Sequence, residues 1–235
     1  NILKLLKFYK KKIPVAKGSA YPLIKVPTYA TNVHGESGMD GYDFKEVDES
    51  LLLPDNAIVA MANTIKKAKE KVTILAIGPL TNIALLLKTF PEVKEKIEEI
   101  VLMGGSLTRG NNGVMSEFNI NQDPHAAKIV FNSGVKLVIA PLDVGLKALI
   151  YPSDSEKIKN MNESGKMLYS LFSHYRSFGL KNGLKMYDSC AVAYLLKPEM
   201  FEIVETFVDV EINGEYTSGV TVIDLKNYLE SGEKI

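Results

Sequence analysis

Apolar and polar residues alternate along this chain in two patterns, one typical of amphipathic helices and one typical of short buried strands. Apolar residues at helical spacing, among them Ile58, Met61 and Ile65, predict a helix over about 55–71, and an apolar strand follows at 72–77. The same patterns predict helices near 81–88, 91–98, 123–132, 155–178 and 189–196, and strands near 13–16, 100–103 and 136–140. Strands that alternate with helices are typical of an α/β fold with a mostly parallel central sheet flanked by helices.

The region near the C-terminus has a different pattern. Strand-like residues over 201–223 surround Asn213-Gly214, a dipeptide that favours a tight turn between two strands, so a small β-hairpin is predicted there. The sequence has no internal repeat, low-complexity linker or sign of a second domain. We therefore expect residues 1–235 to form a single α/β domain.

Composition and charge narrow the possible partners. Lys+Arg and Asp+Glu both number 28 among 235 residues, so the chain lacks the overall charge that favours binding to nucleic acid or to an anionic membrane. No apolar stretch is long enough to cross a bilayer. Cys190 is the only cysteine and lies in an apolar helical run, which predicts a small core residue in a reducing, cytoplasmic setting.

The segment 111–124 concentrates polar side chains between two apolar segments. If Glu117 to Asn121 is extended, Glu117, Asn119 and Asn121 share one side of the backbone. A carboxylate and amides on one side can exchange hydrogen bonds with a ligand rich in hydroxyl groups, such as a sugar. Taken alone, Asn111-Asn112-Gly113 favours an ordinary turn.

The same segment resembles a known family. Asn111, Glu117-Phe118-Asn119 and Asp123-Pro124-His125-Ala126-Ala127 look like the ribose-binding segment of the inosine–uridine-preferring nucleoside hydrolases. Further similar motifs occur in the family's order over nearly the whole chain: Pro14 to Gly18, Pro22-Leu23, His34-Gly35 with Gly38, Gly78 to Ala84, Val101 to Gly105, Pro141 to Val144, and Asp188 with Ala191 to Tyr194.

The resemblance implies an activity and a cofactor. Enzymes of this family hydrolyse the N-glycosidic bond of a ribonucleoside by means of a calcium-bound water, and give ribose and the free base. The position of Asp188 matches a calcium ligand, and Ile77 matches a residue whose backbone carbonyl binds the same ion. Family members are homodimers or homotetramers, and we expect the same assembly here.

The resemblance also implies a substrate site. Asn111, Glu117 and Asn119, with Phe118 between them, match the segment that holds the ribose hydroxyls. Met103 matches a methionine that contacts the ribose. In the same way His34 matches a histidine on a loop near the nucleobase.

The sequence departs from the family pattern in three places. The aspartate-rich N-terminal motif of the family, which supplies the general base and most calcium ligands, has no counterpart in this sequence. We therefore expect the domain to be truncated, and we expect this at both ends. Tyr187 occupies the position before Asp188 where many members carry a histidine proposed as general acid, and a phenol with a pKa near 10 donates a proton less readily. Tyr187 could instead stack on the base or orient a water. Gly145-Leu146 replaces a threonine–histidine pair.

Two alternatives stay open at this point. A catalytically degenerate homologue would bind nucleoside or ribose without turnover. An unrelated α/β glycosidase would use Glu117 and Asp188 as its carboxylate pair and would need no metal.

Overall fold

The computed structural model describes residues 1–28, 31–45, 47–175 and 179–229, with the side chains of residues 32, 34, 179 and 180 outside that description. The chain divides into two compact units. The first consists of Asn1–Lys17, Thr28–Pro54 and Ala148–Met186, and the second of Gly18–Pro27, Asp55–Lys147 and Tyr187–Ile235. The single-domain organisation stays a prediction.

The regular elements are numbered in chain order. The helices are α1 (Ile2–Phe8), α2 (Thr31–His34), α3 (Ala57–Lys67), α4 (Thr81–Thr89), α5 (Phe118–Gln122), α6 (Pro124–Phe131), α7 (Leu142–Gly145), α8 (Pro152–Lys159), α9 (Glu163–His174) and α10 (Asp188–Leu196). The strands are β1 (Val72–Ala76), β2 (Ile97–Met103), β3 (Leu137–Ala140), β4 (Leu149–Ile150), β5 (Leu184–Lys185), β6 (Val208–Val210) and β7 (Thr221–Ile223). Short 3-10 helices lie at Glu49–Leu51, Pro91–Lys96, Gly179–Asn182 and Pro198–Met200.

A parallel sheet forms the centre of the second unit. Its strands lie in the order β1-β2-β3, and both pairings are parallel. Helices α3, α4 and α6 cover the sheet with their apolar residues, and Leu86, Ile100, Leu102 and Val130 at the centre of this core are fully buried. Burial of one such side chain stabilises the fold by about 1.5–3 kcal/mol. The predicted α/β class with a mostly parallel sheet is confirmed.

Local capping explains where two of these helices begin. The Asn56 side chain accepts a hydrogen bond from the Val59 N–H (3.0 Å) at the start of α3. At α6, Asp123 accepts from the Ala126 N–H (3.1 Å), and Pro124 occupies the first helical position. Both arrangements satisfy backbone donors that a helix leaves unpaired at its N-terminus.

The structure differs from the sequence prediction in two helical regions. Residues 91–96 form a 3-10 helix and not an α-helix, and β2 begins directly after it at Ile97, within the predicted helix. The predicted helical stretch 155–178 is divided between the end of α8, which begins earlier at Pro152, and the whole of α9. Residues 176–178 lie outside the described residues. The second of these helices begins where Asn162 caps it, by accepting from the Gly165 N–H at 2.9 Å.

The first unit combines helices with a short antiparallel ribbon. Helix α8 packs on α9, and β4 pairs with β5. Phe8, Tyr42 and Phe44 form an edge-to-face aromatic cluster, with ring centroids 4.8–6.4 Å apart. The predicted strand at 13–16 is reduced to one bridge between Val15 and Leu52.

The predicted C-terminal hairpin is present in the second unit. Strands β6 and β7 pair in antiparallel fashion, with Asp209 opposite Val222. The connection between the strands is longer than a two-residue turn, and the Glu211 carboxylate accepts from the N–H groups of Asn213 (2.6 Å) and Gly214 (3.0 Å) within it. Over the described part of the chain, the structure has no helix with the length and apolar character needed to span a bilayer.

Candidate functional site

The polar cluster predicted from the sequence lies at the carboxyl end of β2. Asn119, in α5, donates a side-chain hydrogen bond to the Met103 carbonyl oxygen (3.0 Å) and lies 3.4 Å from the Met103 sulfur. Within the described residues no group donates to the Asn119 side-chain oxygen, so that oxygen can accept from a ligand hydroxyl. The structure thus brings together two residues that are 16 positions apart in the sequence.

Glu117 is the N-cap of α5. Its carboxylate accepts from the N–H groups of Asn119 (2.9 Å), Ile120 (3.2 Å) and Gly105 (3.0 Å), and the residue is only 2% exposed. The idea that Glu117 to Asn121 is extended is therefore wrong. The capping carboxylate satisfies the first donors of a short helix, which makes the helical form favourable here.

Burial governs the charge of this carboxyl group. Desolvation raises the pKa of Glu117, the three backbone hydrogen bonds lower it in part, and the negative charge of Asp188 raises it further. The effect of Asp188 means that the two carboxyl groups share one electrostatic environment.

Asn111 closes the loop that precedes this helix. Its side-chain oxygen accepts from the Phe118 N–H at 2.9 Å, and Asn112 pairs with Ser116 across the loop. Asn111 is exposed, whereas Phe118 and Asn119 are half-buried. The turn that Asn111-Asn112-Gly113 predicts is therefore present, and one member of it also holds the start of α5.

The structure identifies Asn121 as a residue that the motif comparison passed over. Its side-chain oxygen accepts from the Asn112 amide (3.1 Å) and the Lys25 ammonium (3.3 Å), and its amide donates to the Ser218 carbonyl (3.0 Å). Asn121 thus joins the loop, the segment 18–27 and the C-terminal hairpin connection. Its position in an amide-rich segment was the only sequence signal.

Asp123 fixes the base of the same region. Its carboxylate accepts from Thr81 Oγ1 (2.6 Å), the Leu23 N–H (2.9 Å) and the Ala126 N–H (3.1 Å), and the residue is 1% exposed. Three of the family-like motifs therefore meet at one buried carboxylate. Their resemblance to the family reflects packing as well as chemistry.

Asp143, in α7, holds the loop that follows β2. Its two carboxylate oxygens accept from the Leu107 N–H (2.7 Å) and from Thr108 Oγ1 (2.8 Å). The loop leads from Met103 to Asn111, so this contact fixes the path of the chain between two candidate ribose residues.

Asp188 and Tyr187 lie at the start of α10, a helix that packs on β2 and β3. Asp188 is exposed and Tyr187 is half-buried, and the Tyr187 carbonyl accepts from the Cys190 N–H at 3.0 Å. The Tyr187 ring lies against the backbone of Gly145. Two positions at which the sequence departs from the family pattern are therefore in contact.

Cys190, in the same helix, is a core residue as predicted. It is 5% exposed, and burial raises the pKa of its thiol. Neither property favours a nucleophile.

The described residues offer oxygen donors for a metal ion, but few of them. No group of three or more His, Cys, Asp or Glu side chains is arranged to hold a metal within the described ranges. Asp188 carries an exposed carboxylate at the start of α10, and Ile77, directly after β1, carries a main-chain carbonyl. Both are hard oxygen donors of the kind that Ca²⁺ prefers, although Ca²⁺ takes about 6–8 of them.

His34 belongs to the first unit. The resemblance implied that His34 lies on a loop, whereas its backbone forms the last residue of the short helix α2. Its side chain lies outside the described residues. The loop character begins just after it, at Gly35, whose φ of 77° is in the left-handed region.

Comparison with known proteins gives this arrangement a family. The model of the family described as "Inosine-uridine preferring nucleoside hydrolase" matches residues 1–235. The non-specific ribonucleoside hydrolase RihC of Escherichia coli (strain SMS-3-5 / SECEC) is 48% identical over 229 residues, which are 97% of this chain and 75% of that protein. RihC of Shigella boydii serotype 4 is 49% identical over 230 residues, again 97% of this chain and 75% of the relative.

Solved structures give the same result. The purine-preferring ribonucleoside hydrolase from Gardnerella vaginalis has a TM-score of 0.87 at 28% identity, over 98% of this chain and 76% of the other. An inosine-guanosine nucleoside hydrolase has a TM-score of 0.91 at 26% identity, with the same coverage. The chain belongs to the inosine-uridine preferring nucleoside hydrolase family, and its predicted class, a ribonucleoside-hydrolysing enzyme, is confirmed.

Proposed function

We propose that this chain binds the ribose of a nucleoside through the residues at the carboxyl end of β2, and that the bond to the base is hydrolysed with the help of a calcium ion held in part by Asp188. The contact between Asn119 and Met103 carries the proposal, because it orients an amide whose oxygen no described residue uses. An amide fixed at one end can accept from a sugar hydroxyl with little loss of conformational entropy.

Four of the candidate residues have a stated part in this proposal. Asn119 accepts from a ribose hydroxyl, and Met103 provides an apolar surface beside the sugar. The side-chain oxygen of Asn111 holds the start of α5, and the residue is exposed. Its side-chain NH2 group therefore donates to a second ribose hydroxyl. Glu117 keeps α5 and Gly105 in place and adds negative potential where the sugar becomes positive. Phe118 and His34 belong to the proposed substrate-binding set.

The metal and its ligands are also proposed. Asp188 and the Ile77 carbonyl would hold the ion, which, when bound, would supply a Lewis acid that activates water. Support comes from the donor type and from the negative charge of Asp188, which contributes to the raised pKa of Glu117. Tyr187 is proposed to contact the base or a water beside it.

The substrate range, the assembly and the location extend the proposal. Relatives at 48–49% identity are named non-specific ribonucleoside hydrolases, so we expect turnover of both purine and pyrimidine nucleosides. A homodimer or homotetramer in the cytoplasm is expected as well. Turnover itself distinguishes this proposal from a degenerate binder, and dependence on a metal distinguishes it from a metal-free glycosidase.

The test is release of reducing sugar from inosine and from uridine by the protein expressed from its natural gene. Dialysis against a chelator should abolish turnover, and added Ca²⁺ should restore it. Asp188→Asn should lower metal affinity and turnover, whereas Asp55→Asn, at an exposed carboxylate before α3, should change neither. Full activity of the Asp188→Asn variant, or of the chelated protein, would contradict the proposed role of the metal.

A further inference from the structure

The backbone of Gly145 occupies a confined position. Gly145 is buried and ends α7, the short helix that follows β3. A methyl group built on its Cα would lie 2.3 Å from Tyr187 Cδ1, 3.1 Å from Tyr187 Cε1 and 3.0 Å from Tyr187 Cα. Real β-carbons essentially never approach another heavy atom within 3.0 Å. The edge of the Tyr187 ring therefore fills the space that any other residue at 145 would need.

This contact determines more than the place of one ring. Tyr187 is the N-cap residue of α10, and its carbonyl receives the Cys190 N–H. Because Tyr187 Cα also lies at the limit of contact with position 145, a side chain there would displace the first turn of α10 together with the ring. Asp188 is the next residue in that turn.

The other residues of α7 hold the opposite side of the same region. Asp143, two positions before Gly145, binds Leu107 and Thr108 in the loop after β2. Helix α7 thus contacts the loop that leads to Asn111 through one residue and Tyr187 through another.

We propose that Gly145 is a positioning residue, which allows the Tyr187 ring to lie against α7 as a fixed wall of the nucleoside site and so sets the preference among nucleobases. The inference rests on the proposed function, because it assigns the half-buried ring to the base side of that site. A planar aromatic ring suits this task, since it offers a flat apolar face to a flat heterocycle.

Gly145→Ala tests the proposal directly. The ring must move, so kcat/KM should fall roughly 10- to 100-fold, because displacement of a positioned group by about 1 Å can cost that much. The loss should differ between inosine and uridine, and it should appear in KM as well as in kcat because the base is contacted in the ground state. Leu146→Ala, at the next and exposed position, serves as the matched control and should keep the wild-type ratio.

A double-mutant cycle separates positioning from general damage. In a Tyr187→Ala background the ring is gone, so Gly145→Ala should cost far less in both activity and thermal midpoint than it does in the natural background. Tyr187→Phe keeps the ring and should keep the inosine-to-uridine ratio near that of the wild type.

Each outcome decides a stated point. Additive thermal midpoints in the cycle would overturn the packing, whether or not the protein is active. Coupled midpoints with an unchanged inosine-to-uridine ratio would overturn the positioning role and leave the contact a structural one. Lack of turnover by the wild-type protein with its metal restored would refute the proposed function and the kinetic role of Gly145 together, while the thermal cycle would still measure the contact.

Discussion

The side-chain amide of Asn119 donates to the main-chain carbonyl of Met103 across 3.0 Å. The carbonyl belongs to the last residue of β2, so the contact ties α5 to the end of the central strand. Because the NH2 group of the amide makes this contact, the side-chain oxygen of Asn119 is the atom that remains for a ligand. A single hydrogen bond within the protein thus orients a group that we assign to ribose binding.

Asn119→Ala should reduce sugar release with little change in folding. The variant loses the acceptor for a ribose hydroxyl, and one hydrogen bond of about 0.5–1.5 kcal/mol corresponds to a loss of roughly 2- to 12-fold in kcat/KM. Steady-state kinetics with inosine would measure the loss. Asn160→Ala, at an exposed asparagine whose side-chain amide donates to the Glu156 carbonyl, is the control. Equal activity of the two variants would remove Asn119 from the site.

Glu117→Gln should show a stability deficit that depends on pH. The pKa of Glu117 is raised by burial, so the folded state binds the proton more readily than the unfolded chain. Its contribution to stability is therefore complete below the unfolded pKa of about 4.3 and is lost as pH rises through the folded pKa. Glutamine has no such titration, so the gap between wild type and variant should be widest in acid and should narrow toward neutral pH.

Thermal midpoints of both proteins across that range would test this expectation. Glu215→Gln, at an exposed carboxylate, should show a gap that does not change with pH. A gap that widens as pH rises would mean that the three backbone hydrogen bonds outweigh burial in setting the pKa of Glu117.

Much of the fold could be predicted from the sequence, because local signals and tertiary packing agree there. The helix at 124–131 begins at an Asp-Pro pair that supplies both a cap and a compatible first residue. The second half of β2, the central strand of the sheet, is the continuous apolar run Ile100–Met103 and is buried, as expected for a strand in the core of a parallel sheet. At 91–96 the prediction gave the wrong type of helix, because apolar spacing does not distinguish a short 3-10 helix from an α-helix.

The candidate site was only partly predictable. The residue types of segment 111–124 indicated a polar ligand. The extended backbone considered for 117–121 was wrong, because the Glu117 carboxylate accepts from the N–H groups of Asn119 and Ile120 and so begins helix α5. The contact between Gly145 and Tyr187 joins residues 42 positions apart, and no local sequence pattern around either residue predicts it. Such contacts follow from the way α7 and α10 pack together. The spacing of apolar residues along the sequence does not predict this packing.

Asp123→Asn should destabilise the second unit. Three donors converge on this buried carboxylate, and an amide in its place directs N–H groups at one or more of them. Leaving a buried donor unsatisfied costs about 1–3 kcal/mol. Urea midpoints would show the change, with Asp55→Asn as an exposed control. Because Thr81 is one of the donors, Thr81→Val should cost less in the variant than in the wild type.

Asp143→Asn should loosen the loop between Met103 and Asn111 more than it destabilises the fold. The carboxylate accepts from Leu107 and Thr108 on a partly exposed surface, so its loss should cost only about 1 kcal/mol in unfolding free energy. The kinetic effect should be larger, since the loop sets the approach to Asn111, and KM for inosine should rise while the thermal midpoint changes little. Thr108→Val removes one of the two contacts and should give an intermediate KM. Hydrogen exchange at the Leu107 amide should quicken in Asp143→Asn, and unchanged exchange there together with a raised KM would show that Asp143 acts on the substrate by another route.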